Sequence, residues 1–439
     1  MMSSRFFFGV KMNNLKLLDE TVMIQRDDKH LFLVPSKPDW LVTNVNGSYL
    51  LSLCSGNRDM SEIQKEAENK GFSEKEVKAF LSRLVESNFF EPKAKVIPIQ
   101  PALKPILSSV HLNMHKDCNL KCVYCYAEDR VKEGNSLSLE EYKKLIDELS
   151  ELGGVLHIEF TGGEPLLNRS TIEVAKYAKS LGHTVKLLTN ATPINLKNAE
   201  EISNTFDSIR ISIDGDEHAN DLLRGFGTYK QITDAIAILD GFGAKLQIAM
   251  TVTKKNIDQI AGMTARYGNR LTFQPLFNAG TARLNKELAI SGEEYYEALA
   301  NVNNVNVVAN RMAPYLEKLK NRGTVKCAIG DVEISISHDG VVYPCHLIHV
   351  EEFAAGNIRE THIKDIYEGS PALKASRELV VSERPGCSEC PVRLLCGGAC
   401  RARAYYLEGD INAADRFCEY EFKGILEGLF NSVVLSRVQ

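Results

Sequence analysis

Apolar and polar positions along this chain follow two rhythms, and the change from one to the other marks its elements. Short apolar runs at residues 106–114, 155–160, 184–189, 207–213, 244–252 and 271–275 have the length and composition of strands. Five stretches with helical spacing separate them. In one of these, Ser138-Leu-Glu-Glu141 forms a capping box, with Leu137 and Tyr142 placed as a hydrophobic staple, and leads into Leu145, Ile146 and Leu149. Six such units predict an α/β fold, a parallel sheet curved into a partial (β/α)6 TIM-like barrel. Its site is expected at the C-terminal ends of the strands.

Ahead of the barrel the rhythm is different. Residues 21–26, 30–34 and 39–45 read as short strands, with Asp27-Asp28 and the segment 35–38 as turns. Helices follow, and Ser61–Gln64 and Ser73–Glu76 have the form of capping boxes. The second opens a helix whose Val77, Phe80, Leu81, Leu84 and Val85 make one apolar stripe. Together these predict a winged-helix-like α+β domain over residues 1–91. Pro92, Pro98, Pro101 and Pro105 then favour an extended linker over 92–105. The barrel is expected over 106–310 and a bridge over 311–325, within a helical stretch at 296–319. A cysteine-rich domain is expected over 326–439.

Composition removes several function classes. Lys and Arg number 52 against 57 Asp and Glu, so a net charge of -5 offers no field for nucleic acid. No apolar stretch reaches the length of a membrane span, and the run after Arg5 breaks at Lys11, too short for a signal peptide. A cytoplasmic location is expected. Ten of the 11 cysteines lie in clusters, with Cys54 apart, which points to metal ligation rather than disulfides.

Cys118, Cys122 and Cys125 stand directly after the first barrel strand. Three thiolates on one tight loop can hold three corners of a cubane iron–sulfur cluster and leave the fourth iron open; a loop of unpaired thiols or a zinc knuckle is the plainer alternative. The spacing, followed by Tyr126, resembles the radical SAM superfamily, where the open iron chelates S-adenosylmethionine. The resemblance implies that Gly162, Gly163, Glu164 and Pro165 bind the methionine amino group, and that Asn190, Ser212 and Asp214 at later strand tips contact the cofactor. It further implies that Arg224 pairs with the cofactor carboxylate and that Tyr124 lies against the adenine. A reduced cluster of this kind cleaves the cofactor to a 5'-deoxyadenosyl radical.

The last block repeats the cysteine theme. Cys327, Gly340, Cys345, Cys387, Cys390, Cys396, Cys400 and Cys418 fit the pattern of the SPASM domain of peptide-modifying radical SAM enzymes. The resemblance implies two auxiliary 4Fe-4S clusters and thus three 4Fe-4S clusters in all. Cys387, Cys390, Cys396 and Cys418 would close the distal cluster, and Cys327, Cys345 and Cys400 would hold the proximal one without a fourth cysteine. Two structural zinc sites are the alternative.

The first block resembles the recognition element of ribosomal peptide maturases, which takes a leader peptide as an added strand. Here the accepting edge would be residues 39–45, beside the helix 73–87. A DNA-reading winged helix is disfavoured by Glu62, Glu66, Glu68, Glu74 and Glu76. The combined resemblance implies a radical SAM oxidoreductase that cross-links a precursor peptide bound through its leader, with electrons from a flavodoxin- or ferredoxin-like donor. Its layout is most like the streptide-type cyclases, which join Lys to Trp through carbon. A thioether-forming maturase is the second reading, and a sulfatase maturase or a non-catalytic peptide-binding, electron-carrying protein ranks lower. No general base is identified; Gln274, Arg283, Glu333 and His346 are positional candidates.

Overall fold

The computed structural model describes residues 14–37, 39–87, 89–90, 107–129, 135–152, 154–300, 302 and 326–431. The linker 92–105, the bridge 311–325 and most of the helical stretch 296–319 lie outside these residues. Of that stretch, a helix Gly292–Ala300 is described.

The N-terminal block is an antiparallel meander, β1 (Val22–Arg26), β2 (Lys29–Val34) and β3 (Asp39–Asn44), followed by helices α1 (Val45–Leu53), α2 (Met60–Glu68) and α3 (Glu74–Glu86). The third strand ends one residue early because the Asn44 side chain accepts from Gly47 N at 3.0 Å and caps α1. Ser73 and Glu76 form the expected capping box. The other box is displaced: Asp59 and Glu62 cap α2, and Ser61 lies inside its first turn. An aspartate brings a full negative charge to the helix N-terminus, so Asp59 outcompetes the serine two residues on.

Strand alternation lets the meander bury both faces. Phe32, Val34 and Leu41 pack with Leu50, Ile63, Val77, Leu81 and Leu84 of the three helices. Leu31, Leu33 and Val42 pack on Val392, Leu395, Ile425, Leu426, Leu429 and Phe430 of the cysteine-rich block. Arg26 also reaches Glu427 at 2.7 Å. The first block is therefore docked on the last.

The barrel strands are β4 (Ser109–His115), β5 (His157–Gly162), β6 (Thr184–Thr189), β7 (Ser208–Ser212), β8 (Leu246–Val252) and β9 (Leu271–Pro275), all parallel and in chain order. Six α-helices connect them rather than five, because both Glu217–Arg224 and Thr228–Gly241 lie between β7 and β8. The open edge of β4 is covered by β10 (Glu333–Ile336), which pairs with it in parallel, and antiparallel β11 (Val341–Tyr343) and β12 (Gly356–Asn357) complete a nine-stranded sheet. The sheet runs through the expected boundary at 326. Val110, Leu112, Ile158, Phe160, Val185 and Leu187 face the helices in the main core, whereas His111, Glu159, Lys186 and Arg210 line the other face. Among the described residues, no helix is long and apolar enough to cross a membrane.

Candidate iron–sulfur and cofactor site

The loop after β4 carries Cys118, Cys122 and Cys125, all unpaired and partly buried. Its backbone is held from three sides. Val123 N donates to Leu223 O at 3.0 Å, Thr281 N to Cys125 O at 3.1 Å, and Asn285 Nδ2 to Val123 O at 2.6 Å. Gly280, at φ +57°, lies so close that a Cβ there would stand 2.1 Å from Cys125 O. The clamp by Gly280, Thr281 and Asn285 was not visible in the sequence, since these residues follow the last barrel strand and match no motif.

The glycine pair at the tip of β5 works on the same loop. Gly163 N donates to His115 O at 2.8 Å and Glu164 N to Asp117 O at 3.0 Å. A Cβ on Gly163 would sit 2.0 Å from Asp117 O. The close approach expected of these glycines is thus made to the cysteine loop itself. Pro165, buried, opens the short turn that follows.

Glu164 is fully enclosed. Its carboxylate accepts from Leu166 N at 3.1 Å, Thr189 Oγ1 at 2.8 Å and Asn190 N at 2.8 Å, which ties the tip of β5 to that of β6. Burial pushes its acid up to about 7. Asn190 continues the chain of contacts: its Nδ2 donates to Asn119 Oδ1 at 3.0 Å and reaches Cys118 Sγ at 3.5 Å.

At the tip of β7, Arg224 is anchored within the chain: its Nε and Nη2 donate to Asp214 Oδ2 at 2.7 Å and Oδ1 at 3.2 Å. Tyr124 OH donates to the same carboxylate, and the guanidinium lies 5.6 Å from the Tyr124 ring centroid. All three side chains are buried, and a buried charge requires such a partner. Thr251 N, at 2.9 Å, joins β8 to Asp214. Ser212, at the end of β7, is partly buried.

The seven later cysteines sort into two groups. Cys387, Cys390, Cys396 and Cys418 line one small cavity of about 20 Å³ together with Arg393, Asp415 and Phe422. Cys327, Cys345 and Cys400 gather around Ile329, Ile348 and Ala402. Asp415 links the groups, since it accepts from Cys400 N at 3.0 Å and pairs with buried Arg403 at 2.7 Å. Burial pushes Cys122 and Cys400 up to about 11 and Cys396 up to about 12, so these thiols would stay protonated in a site without a cation. Iron would supply that charge, and the thiolate donor sets are of the kind that hold iron–sulfur clusters.

Of the positional candidates, Glu333 and His346 meet with His111 of β4, their ligand atoms within 4.8 Å of one another. Gln274 is exposed on β9, in register with Thr251, and so shares the face of the sheet that carries Arg210, Lys186, Glu159 and His111.

Comparison with known proteins agrees with this arrangement. Residues 112–265 match the model of the radical SAM superfamily, and residues 327–391 match the SPASM iron–sulfur cluster-binding domain. An AdoMet-dependent heme synthase from Nitratidesulfovibrio vulgaris is 28% identical over 349 residues, 72% of this chain and 93% of that protein. The mycofactocin maturase MftC of Mycolicibacterium smegmatis is 27% identical over 69% of this chain and 80% of its own. SuiB of Streptococcus suis, solved with its precursor peptide SuiA, superposes with a TM-score of 0.59 over 92% of this chain and 99% of its own, at 13% identity, a likeness of fold. The chain is an enzyme with a radical SAM domain and a SPASM domain, and these imply S-adenosylmethionine and 4Fe-4S clusters as its cofactors.

Proposed function

We propose that this enzyme is a maturase that installs an intramolecular cross-link in a ribosomally synthesised peptide, by carbon–carbon closure between a Lys and a Trp side chain. The observation that carries the peptide reading is the N-terminal meander. Among the described residues β3 pairs only with β2, so its other edge offers backbone donors and acceptors to an added strand, and the meander is anchored on the cysteine-rich block. A leader held there stays attached to the body that carries the chemistry.

In this reading Cys118, Cys122 and Cys125 hold the cluster that meets S-adenosylmethionine, and the two later cysteine groups hold two auxiliary clusters. When bound, the first cluster and its cofactor supply a radical that removes hydrogen from an unactivated carbon. The chain's own contribution is placement. Gly162, Gly163, Glu164, Pro165, Asn190 and Ser212 form the cofactor's wall, while Tyr124, Asp214 and Arg224 fix the loop and strand tips behind it. A flavodoxin- or ferredoxin-like donor in the cytoplasm supplies the electrons. A thioether closure is the second reading, favoured by the three-thiol proximal group, whose fourth position suits a substrate thiolate.

The test uses the cluster-loaded, reduced enzyme with S-adenosylmethionine and short peptides from neighbouring open reading frames as candidate precursors. We expect 5'-deoxyadenosine, lost in Cys122→Ala, and a peptide that loses the mass of two hydrogen atoms, with tandem mass spectra placing the link. Trp40, the only tryptophan of the chain, lies on β3 and should change its emission on titration with a tryptophan-free leader. Cofactor cleavage with an unmodified peptide, and turnover of a tetrapyrrole instead, would overturn the proposal in favour of heme-type chemistry.

A further inference from the structure

Three polar side chains from three elements converge on the inner face of the sheet, and none is a cysteine. His111 comes from β4, Glu333 from β10 and His346 from the turn after β11. We propose that they form a binding site for a divalent first-row transition-metal ion, built from ligands other than the cluster cysteines and next to Cys345 of the proximal group.

The geometry carries the proposal. Glu333 Oε1 stands 3.3 Å from His111 Nε2 and 3.1 Å from His346 Nδ1. Ligands bound to zinc at about 2.0–2.1 Å in a tetrahedron are separated by about 3.3 Å, so these separations suit the edges of one coordination shell. Without an ion the His346 Nδ1–Glu333 Oε1 contact is a hydrogen bond, which holds the two ligands in place for one. The two imidazoles stack with centroids 4.0 Å apart, and the ligand atoms of all three side chains lie within 4.8 Å of one another, so a bound ion would draw the two rings out of the stack toward itself.

The surroundings are those of a supported ligand. His111 is 5% exposed, and its other nitrogen, Nδ1, has no hydrogen-bond partner but faces Glu159 Oε2 at 3.6 Å. Glu159 is in turn paired with Lys186 at 3.3 Å. A carboxylate behind a ligating histidine orients the ring and raises its basicity. Sheet pairing fixes the separation of the ligands, because Glu333 is in register with Ser109, two residues before His111. Two imidazoles and one carboxylate suit Zn²⁺ or Fe²⁺ and leave coordination positions for water or a substrate heteroatom. The site does not depend on the identity of the substrate.

Zinc is the probe, because it is redox-inert and can be counted apart from cluster iron. The cluster-loaded protein is equilibrated with Zn²⁺, desalted, and its zinc and iron measured. We expect one zinc retained per chain with iron unchanged, and an X-ray absorption shell of nitrogen and oxygen that includes imidazole. Glu333→Gln and His346→Ala should each lower zinc retention at least tenfold while keeping the iron content of the wild type. A sulfur-containing zinc shell, iron lost in step with zinc uptake, or no retained zinc would each overturn the site. The shell measurement needs only the wild-type protein, so it decides the matter even where a variant folds poorly.

Discussion

At position 163 the carbonyl of Asp117 occupies the space a side chain would need. Gly163→Ala places a carbon 2.0 Å from that oxygen and 2.9 Å from Cys118 N, so the cysteine loop must shift. We expect a loss of about 1–3 kcal/mol in urea unfolding and reduced iron retention. The same change at Gly262, a helical position with nothing within 4 Å, should be neutral or stabilising, and the pair of variants separates packing from chain entropy. Glu164 makes a second prediction at this scale. Its folded acid is raised from 4.5 to about 7, so below about pH 4.5 both folded and unfolded chains hold the proton. Between those values only the unfolded chain ionises, and stability falls as pH rises, by about 3 kcal/mol in all before levelling above pH 7. Urea midpoints from pH 5 to pH 8 should therefore decline more steeply for the wild type than for Glu164→Gln.

Elements here are joined by their ends as much as by their faces. The helix Leu139–Glu151 starts at the Ser138–Glu141 box, and Glu141 also receives Arg359 Nε at 2.6 Å from beyond β12. The charged Arg359 and the cap donors hold the Glu141 carboxyl down at about 2. Glu141→Ala removes both the cap and the pair and should cost about 1–2 kcal/mol; Glu141→Gln keeps a capping oxygen and should cost less. Chemical denaturation of the two variants measures the difference. That box, the Ser73 box and the six parallel strands were readable because each depends on neighbours in sequence. The Asp59 cap was misplaced by two residues, since several acceptors compete within one turn. The strand β10 was missed because its 4 residues leave too short a pattern to count, and it exists because the edge of β4 needs a partner.

For the whole molecule the decisive contact is that of the first block with the last. The helix Cys418–Phe430 carries Cys418 at its start and Ile425, Leu426, Leu429 and Phe430 against β2 and β3. Leu429→Ala should cost about 2–5 kcal/mol and shift the emission of Trp40, which packs on the same cluster. Removing the N-terminal block uncovers this apolar face, so truncation should disturb the cysteine-rich block as well. By itself the sequence determined the α/β fold and the run of barrel strands, because strand period and capping residues are local quantities. Only the tertiary structure decided that Arg224 belongs to Asp214, that β10 carries the sheet across the expected boundary, and that His111, Glu333 and His346 meet. The physical reason is the same in each case. A buried charge, an open strand edge or a metal-ligand set is satisfied by whichever group the fold brings near, and His111 of the first barrel strand meets Glu333 from the block beyond the barrel.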